Sequence, residues 1–173
     1  KKNSKTETFF ACKLFIDNDR WKDVPFFIRT GKRLPTKVTE IVVNFKKNNN
    51  IFSSKNESNT LIFRLQPDEG MLVKFNLKKP GHKSEIINKN LEFHYKKLGE
   101  NIINNAYETL ILDVFKGDTM LFSRSDFVEK AWEIVDPITK EIVSNNIKLY
   151  GYKAGTWGPQ KCNDLFRNEN TWR

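Results

Sequence analysis

The chain has 173 residues, 38% of them apolar and fourteen of them Phe, enough large side chains for one domain that buries roughly 70% of the surface its unfolded chain would expose. Thirty Lys and Arg against 21 Asp and Glu leave a formal charge of +9, so the surface attracts anions across a Debye length of about 8 Å, and nucleic acid, acidic lipid and phosphorylated small molecules all satisfy that charge. Two cysteines, Cys12 and Cys162, give neither a disulfide framework nor a zinc spacing, no apolar run reaches the roughly 18 residues of a membrane span, and no signal-peptide pattern follows Lys1, so a cytoplasmic protein without a membrane partner is expected.

Residues 7–16 (ETFFACKLFI) form a continuous apolar run bounded by Asp17, Asn18, Asp19 and Arg20, the pattern of a buried strand. Residues 24–30 (VPFFIRT) repeat it, with Pro25 where a strand need not donate to its ladder and Gly31 as the stop. Residues 40–45 (EIVVNF) predict a third strand, and residues 46–60, rich in Asn, Ser and Lys, a mobile loop without chemistry. Residues 60–66 (TLIFRLQ) and 71–78 (MLVKFNLK) alternate, placing Leu61, Phe63 and Leu65 with Met71, Val73, Phe75 and Leu77 on an inner side. Pro67-Asp68-Glu69-Gly70 between them reads as a turn, so the two strands form an antiparallel hairpin. A short strand is expected at residues 91–95 (LEFHY).

Helical spacing then takes over. Ala106, Tyr107, Leu110, Ile111, Val114 and Phe115 recur at that spacing up to Gly117, which marks an amphipathic helix and its stop. A second helix starts at Ser125 as N-cap, carries Val128, Trp132 and Val135 on one stripe and is interrupted by Pro137. From Tyr150 the text is a Gly-rich loop followed by a polar tail, with Leu165, Phe166 and Trp172 as anchors. Strands first and helices later predict one α+β domain over residues 1–173: a large, mainly antiparallel sheet with helices packed on one face.

The chemistry-bearing residues are few. His82 and His94 stand apart from any Ser, Cys or carboxylate pattern that would make a triad, and there is no G-x-G-x-x-G, P-loop or metal spacing. No catalytic residue and no metal ligand is therefore expected; His94 reads as a partly exposed strand residue and His82 as part of a surface loop. What does stand out is Arg29-Thr30-Gly31-Lys32-Arg33-Leu34-Pro35-Thr36-Lys37, a cationic segment leaving a buried strand through a glycine. Strand ends are rigid and Gly31 admits close approach, so a preorganised phosphate site and a merely solvated basic turn are both open. Arg64 and Lys74 are expected to face each other across the hairpin, with Gln66 closing its first strand, so that they extend a basic sheet face or simply point to solvent. The aromatics fall at core positions rather than between cations, which argues against a nucleic-acid partner.

Residues 17–34 (DNDRWKDVPFFIRTGKRL) closely resemble the stretch of glucose-6-phosphate dehydrogenases that reads approximately N-x-R-W-x-G-V-P-F-x-x-R-x-G-K-x-L. Matching blocks follow in order: Arg64 to Glu69, Lys78 to Gly81, Ala106-Tyr107-Glu108, Leu110 to Phe115, Arg124-Ser125-Asp126, Ala131-Trp132 and Gly155 to Pro159. The resemblance spans nearly the whole chain. It implies the carboxy-terminal, substrate-binding and dimerisation domain of an enzyme that oxidises glucose 6-phosphate with NADP to 6-phosphogluconolactone. The dinucleotide fingerprint and catalytic His would then belong to an amino-terminal Rossmann domain not included here. The implied partners are glucose 6-phosphate, that Rossmann domain, and further copies in a homodimer or tetramer through the sheet.

The same resemblance assigns Lys32, Lys37 and Gln66 to the sugar phosphate. It places Arg29, Arg64, Lys74 and Glu92 where some members hold a second, structural NADP. Against that second site, Val38 and Val42 stand in place of basic residues, Leu72 in place of a Tyr and Trp157 in place of an Arg.

Overall fold

The computed structural model describes residues 4, 6–47, 58–81, 85–99, 106–144, 147–166 and 172. The chain divides into two compact units, Lys1–Glu100 with Tyr150–Arg173 and Asn101–Leu149. The first is antiparallel β and the second helical, which makes the class α+β. Among the described residues the expected strands all form, but in two sheets, of two and four strands, rather than in one.

β1 (Phe9–Leu14) pairs with β2 (Phe26–Gly31), Cys12 opposite Ile28. The connection contains a turn in which the Asn18 side chain accepts the Trp21 amide (2.8 Å), and the Trp21 ring meets Phe26 edge-on at 5.4 Å. Such a local Asn bond offers the backbone an alternative to the ladder, which is why the apolar run stops where it does. Beneath β2, Phe27 stacks on Phe166 at 4.2 Å, and Trp172 packs edge-on against both. The tail anchors Phe166 and Trp172 thus act as expected, Phe166 being buried in a short 3-10 segment, Gln160–Phe166.

The second sheet runs β3 (Thr39–Asn44), β4 (Thr60–Gln66), β5 (Gly70–Lys78), β6 (Ile86–His94), in that order and antiparallel throughout. The β4–β5 hairpin closes through a cis Gln66–Pro67 peptide and pairs Phe63 with Met71 and Leu61 with Val73. β6 begins at Ile86, ahead of residue 91 where the alternation suggested. Its first half carries Asn88, Lys89 and Asn90, polar residues of the kind that an edge strand tolerates. The loop expected at residues 46–60 falls largely outside the described residues, and so does His82.

Burial in this sheet is inverted relative to the alternation. The fully buried pair, Ile62 at 0% exposure and Leu72 at 5%, lies directly cross-strand on the face shared with Arg64, Lys74 and Glu92. The face expected to be inner carries Ile41, Val43, Leu65, Met71, Leu77, Leu91 and Phe93, all exposed, Leu91 by 64%. Alternation fixes which residues share a face but not which face is covered, so the apolar set here is a surface.

In the helical unit, α1 (Ala106–Lys116) ends at Gly117, whose φ of 69° lets the Asp118 amide close back on the Asp113 carbonyl at 2.9 Å. α2 (Ser125–Ser144) continues through Pro137 instead of stopping there. One proline removes a single amide donor, and in the following turn the Thr139 hydroxyl bonds the Val135 carbonyl (3.3 Å). Ser125 is the first helical residue; the carboxylate that accepts a first-turn amide, that of Phe127 at 2.9 Å, belongs to Asp126.

Candidate functional site

The basic segment leaves β2 as a turn fixed by backbone contacts from both ends of the first unit. The Lys32 amide donates to the Thr8 carbonyl (2.8 Å) and the Gly155 amide to the Arg33 carbonyl (2.9 Å). The Tyr152 hydroxyl donates to the Lys32 carbonyl (2.7 Å) and lies 2.9 Å from that of Thr8. Arg33 adopts a left-handed φ of 53°, which costs a non-glycine residue about 1–2 kcal/mol and persists only where neighbours over-determine it. These bonds supply that constraint.

Gly31 has a use other than ligand approach. A Cβ there would sit 2.8 Å from the Phe9 ring and 3.2 Å from Leu34, so the protein's own side chains fill the space the glycine opens. Gly158 is more restricted still, with a φ of +104° and the Phe9 ring 2.2 Å from where its Cβ would be. The Gly-rich segment after Tyr150 is therefore the lid over Phe9, whose ring also meets Tyr152 at 5.3 Å.

Beyond the turn, Lys37, Val38 and Thr39 converge with Gln66, Pro67 and Glu69 on one open depression. β3 and β4 are paired with Thr39 opposite Gln66, which is why residues far apart in the chain share a wall. Two of the three residues assigned to the sugar phosphate, Lys37 and Gln66, thus come together. Lys32 is exposed on the turn and does not line the depression.

The second set of basic residues is dispersed. Arg64 pairs with Gly70 rather than with Lys74, which lies opposite Thr60 and Asn90. The tight Pro67–Gly70 turn sets that register, so Arg64 and Lys74 share a face on either side of Ile62 and Leu72 without facing each other. Arg64 is bonded to Glu92 at 2.7 Å, and the His94 ring reaches the same carboxylate oxygen at 3.0 Å. Burial by itself would raise the Glu92 carboxyl, but the Arg64 hydrogen bond and the His94 and Arg64 charges outweigh it and hold the group below the usual carboxylate range. Arg29 packs its guanidinium against Trp157 at 4.8 Å and Trp172 at 4.6 Å. Burial there pushes its pKa below the ordinary arginine value. At the hairpin turn Asp68 is paired with Lys96, whose hydrogen bond lowers the carboxyl while the ammonium is raised in return.

The family model described as glucose-6-phosphate dehydrogenase, C-terminal domain, matches residues 1–173. The chain belongs to that family. It is 45% identical over 172 residues to a glucose-6-phosphate 1-dehydrogenase of Aggregatibacter actinomycetemcomitans, covering 98% of this chain and 35% of that protein. The enzyme of the same name from Treponema pallidum is 44% identical over 168 residues, covering 94% and 33%. Among solved structures, glucose-6-phosphate 1-dehydrogenase from Mycobacterium avium superposes with a TM-score of 0.81 at 31% identity, covering 99% of this chain and 36% of that one. A glucose-6-phosphate dehydrogenase in complex with its substrate glucose-6-phosphate gives 0.84 at 29% identity, covering 96% and 35%. The chain spans about a third of the length of these relatives.

For a glucose-6-phosphate dehydrogenase C-terminal domain, three placements around the basic turn and the depression lie beyond the sequence pattern: Tyr152 beneath the turn, Trp172 against Arg29, and Glu69 in the depression. All three depend on long-range placement, although a Glu immediately after the Gln66-Pro67-Asp68 block was a visible signal. Among the described residues, no group of three His, Cys, Asp or Glu could hold a metal ion, and no helix is long and apolar enough to cross a membrane.

Proposed function

We propose that this chain is the part of an NADP-dependent glucose-6-phosphate dehydrogenase that receives and orients the sugar phosphate. The whole enzyme oxidises C1 of glucose 6-phosphate to 6-phosphogluconolactone, the first step of the pentose phosphate pathway. NADP supplies the hydride acceptor, held by an amino-terminal Rossmann domain that also carries the proton-transfer residue. The observation that carries this reading is the convergence of Lys37 and Gln66 on one depression beside a backbone-fixed basic turn.

Lys37 brings a compact positive charge to a phosphate, and Lys32 adds a second from the turn; Gln66 offers an amide that can both donate and accept. Fixing the phosphate at one end and hydroxyls at the other orients C1 without any proton leaving these side chains. In the full-length enzyme Lys37→Ala should raise the KM for glucose 6-phosphate by about 10- to 100-fold with little change in kcat, the loss expected for one charged hydrogen bond. Unchanged kinetics would remove Lys37 from the site. The isolated chain should not reduce NADP.

A second, structural NADP is not favoured. Arg29 already has two indole rings against its guanidinium, and Arg64 is committed to Glu92, so the cations that would receive its phosphates have partners from the protein itself. The exposed apolar face of the four-stranded sheet supports assembly of copies through that face. It is too contiguous a set of aliphatic and aromatic side chains for a solvated surface.

A further inference from the structure

The segment that returns to the first unit after residue 150 grips the basic turn by more than hydrogen bonds. The Tyr152 hydroxyl holds the Lys32 carbonyl, and the Gly155 amide holds that of Arg33. Two residues beyond Gly155, the Trp157 ring lies 4.8 Å from the Arg29 guanidinium, which Trp172 meets at 4.6 Å. These contacts close a circuit: along the chain from Arg29 to Arg33, across to Gly155, on to Trp157 and back to Arg29. Lys32 sits inside it. The hydrogen bonds fix two carbonyls of the turn, and the guanidinium–indole contact fixes the end of β2 from which the turn departs.

Packing alone does not explain a cation at residue 29. Arg29 is half-buried, and burial disfavours its charge, while Cys162 and Glu40 draw the balance the other way. An aliphatic side chain would fill the same space without that cost; a guanidinium against a ring adds a directional attraction that aliphatic packing lacks. Glu40 lies three residues beyond Lys37, in β3, so Arg29 answers to groups at both ends of the segment that carries Lys32 and Lys37. Lys32 itself is exposed and flexible beyond its backbone, and a phosphate that meets it must order it; a turn already fixed lowers that cost. We propose that Arg29 and Trp157 are positioning residues for the sugar phosphate: their contact closes the circuit that sets the Lys32 backbone, and with it the reach of the ammonium. Neither residue touches the substrate. This rests on the sugar-phosphate reading above and adds to it the pair that holds the turn in place.

The test uses the full-length enzyme. Trp157→Leu keeps apolar bulk and removes the ring; Trp157→Phe keeps a ring. Trp157→Leu should raise the KM for glucose 6-phosphate by about three- to tenfold, with kcat and the KM for NADP unchanged, and Trp157→Phe should recover most of that loss. Arg29→Met should act like Trp157→Leu, and the two together should do no more than either alone, because both open the same circuit. In a Lys32→Ala background Trp157→Leu should add less than about twofold, since the side chain it positions is gone. The inference fails if Trp157→Leu leaves KM unchanged or raises it by the same factor with and without Lys32. It fails equally if KM falls, which would show a released Arg29 binding the substrate itself, or if kcat and both KM values shift together. Lys32→Ala alone separates this from the underlying reading. It should raise the KM by about tenfold or more; if it does so while Trp157→Leu is silent, the sugar-phosphate reading stands and the positioning role is lost. If Lys32→Ala has no effect, the turn takes no part in holding phosphate and both fall.

Discussion

The Tyr152 hydroxyl donates to the Lys32 carbonyl across 2.7 Å, joining residues 120 positions apart. The bond matters because Lys32 and Lys37 are long, exposed side chains whose reach is defined only by the backbone that carries them. Replacing Tyr152 by Phe keeps the ring contact with Phe9 and removes only the hydroxyl. One neutral hydrogen bond is worth about 1 kcal/mol. Tyr152→Phe in the full-length enzyme is therefore expected to raise the KM for glucose 6-phosphate by no more than about fivefold with kcat unchanged. Steady-state kinetics will check this, and a fall in kcat alone would show that the turn does not position substrate.

Trp172 meets Phe27, Phe166 and Arg29 at once. Its truncation opens a hole beneath β2 and strips one ring from a half-buried cation. Full burial of such a side chain is worth about 3–5 kcal/mol; for the half-exposed Trp172 about 2 kcal/mol is expected from Trp172→Ala, measured as a lower urea midpoint by circular dichroism. Wild-type midpoints should not move when NADP is added beyond the amount that saturates catalysis. A further rise at higher NADP would reveal a second dinucleotide site after all.

Glu92 gives stability a pH signature. Its folded carboxyl titrates below the usual range, so the contribution is fully present above the unfolded carboxylate pKa and fades as pH falls through the lower folded value. Glu92→Gln is expected to lower the denaturation midpoint at neutral pH, with the gap to wild type closing as pH falls through and below the usual carboxylate range. A gap that persists in acid would mean that Arg64 and His94 support the fold without the carboxylate's charge.

The exposed apolar sheet face makes a prediction about assembly. Leu91, the most open of its aliphatic residues, sits mid-strand in β6, and Leu91→Lys places a charge where a copy would pack. Sedimentation of the full-length protein should show the variant dissociating at concentrations where wild type remains associated, without loss of secondary structure. Identical sedimentation of both would exclude this face.

Local patterns were readable wherever a single strand or helix decides its own fate. The β4–β5 hairpin follows from alternation and a Pro-Asp-Glu-Gly turn, and α1 from helical spacing ending at a glycine. The features that the pattern leaves open depend on neighbours. The register that separates Arg64 from Lys74 is set by how tightly the turn closes. The early start of β6 is hidden because an edge strand tolerates polar residues, and α2 outlasts Pro137 because one lost donor does not end a long helix. Only family resemblance points to Lys37 and Gln66, and their common depression requires β3 to lie beside β4. The role of Tyr152 beneath the Lys32 turn is hidden for the same reason: a hydroxyl's distant partner is a property of the assembled chain.

The return of the chain to its first unit after residue 150 imposes an order on biogenesis. The clamp on the Lys32 turn and the stack under β2 are made by Tyr152, Phe166 and Trp172, which leave the ribosome well over a hundred residues after the strands they complete. A nascent polypeptide that already has both sheets and the helical insert still presents an unfastened Lys32 turn, which is fixed only as translation of this segment finishes.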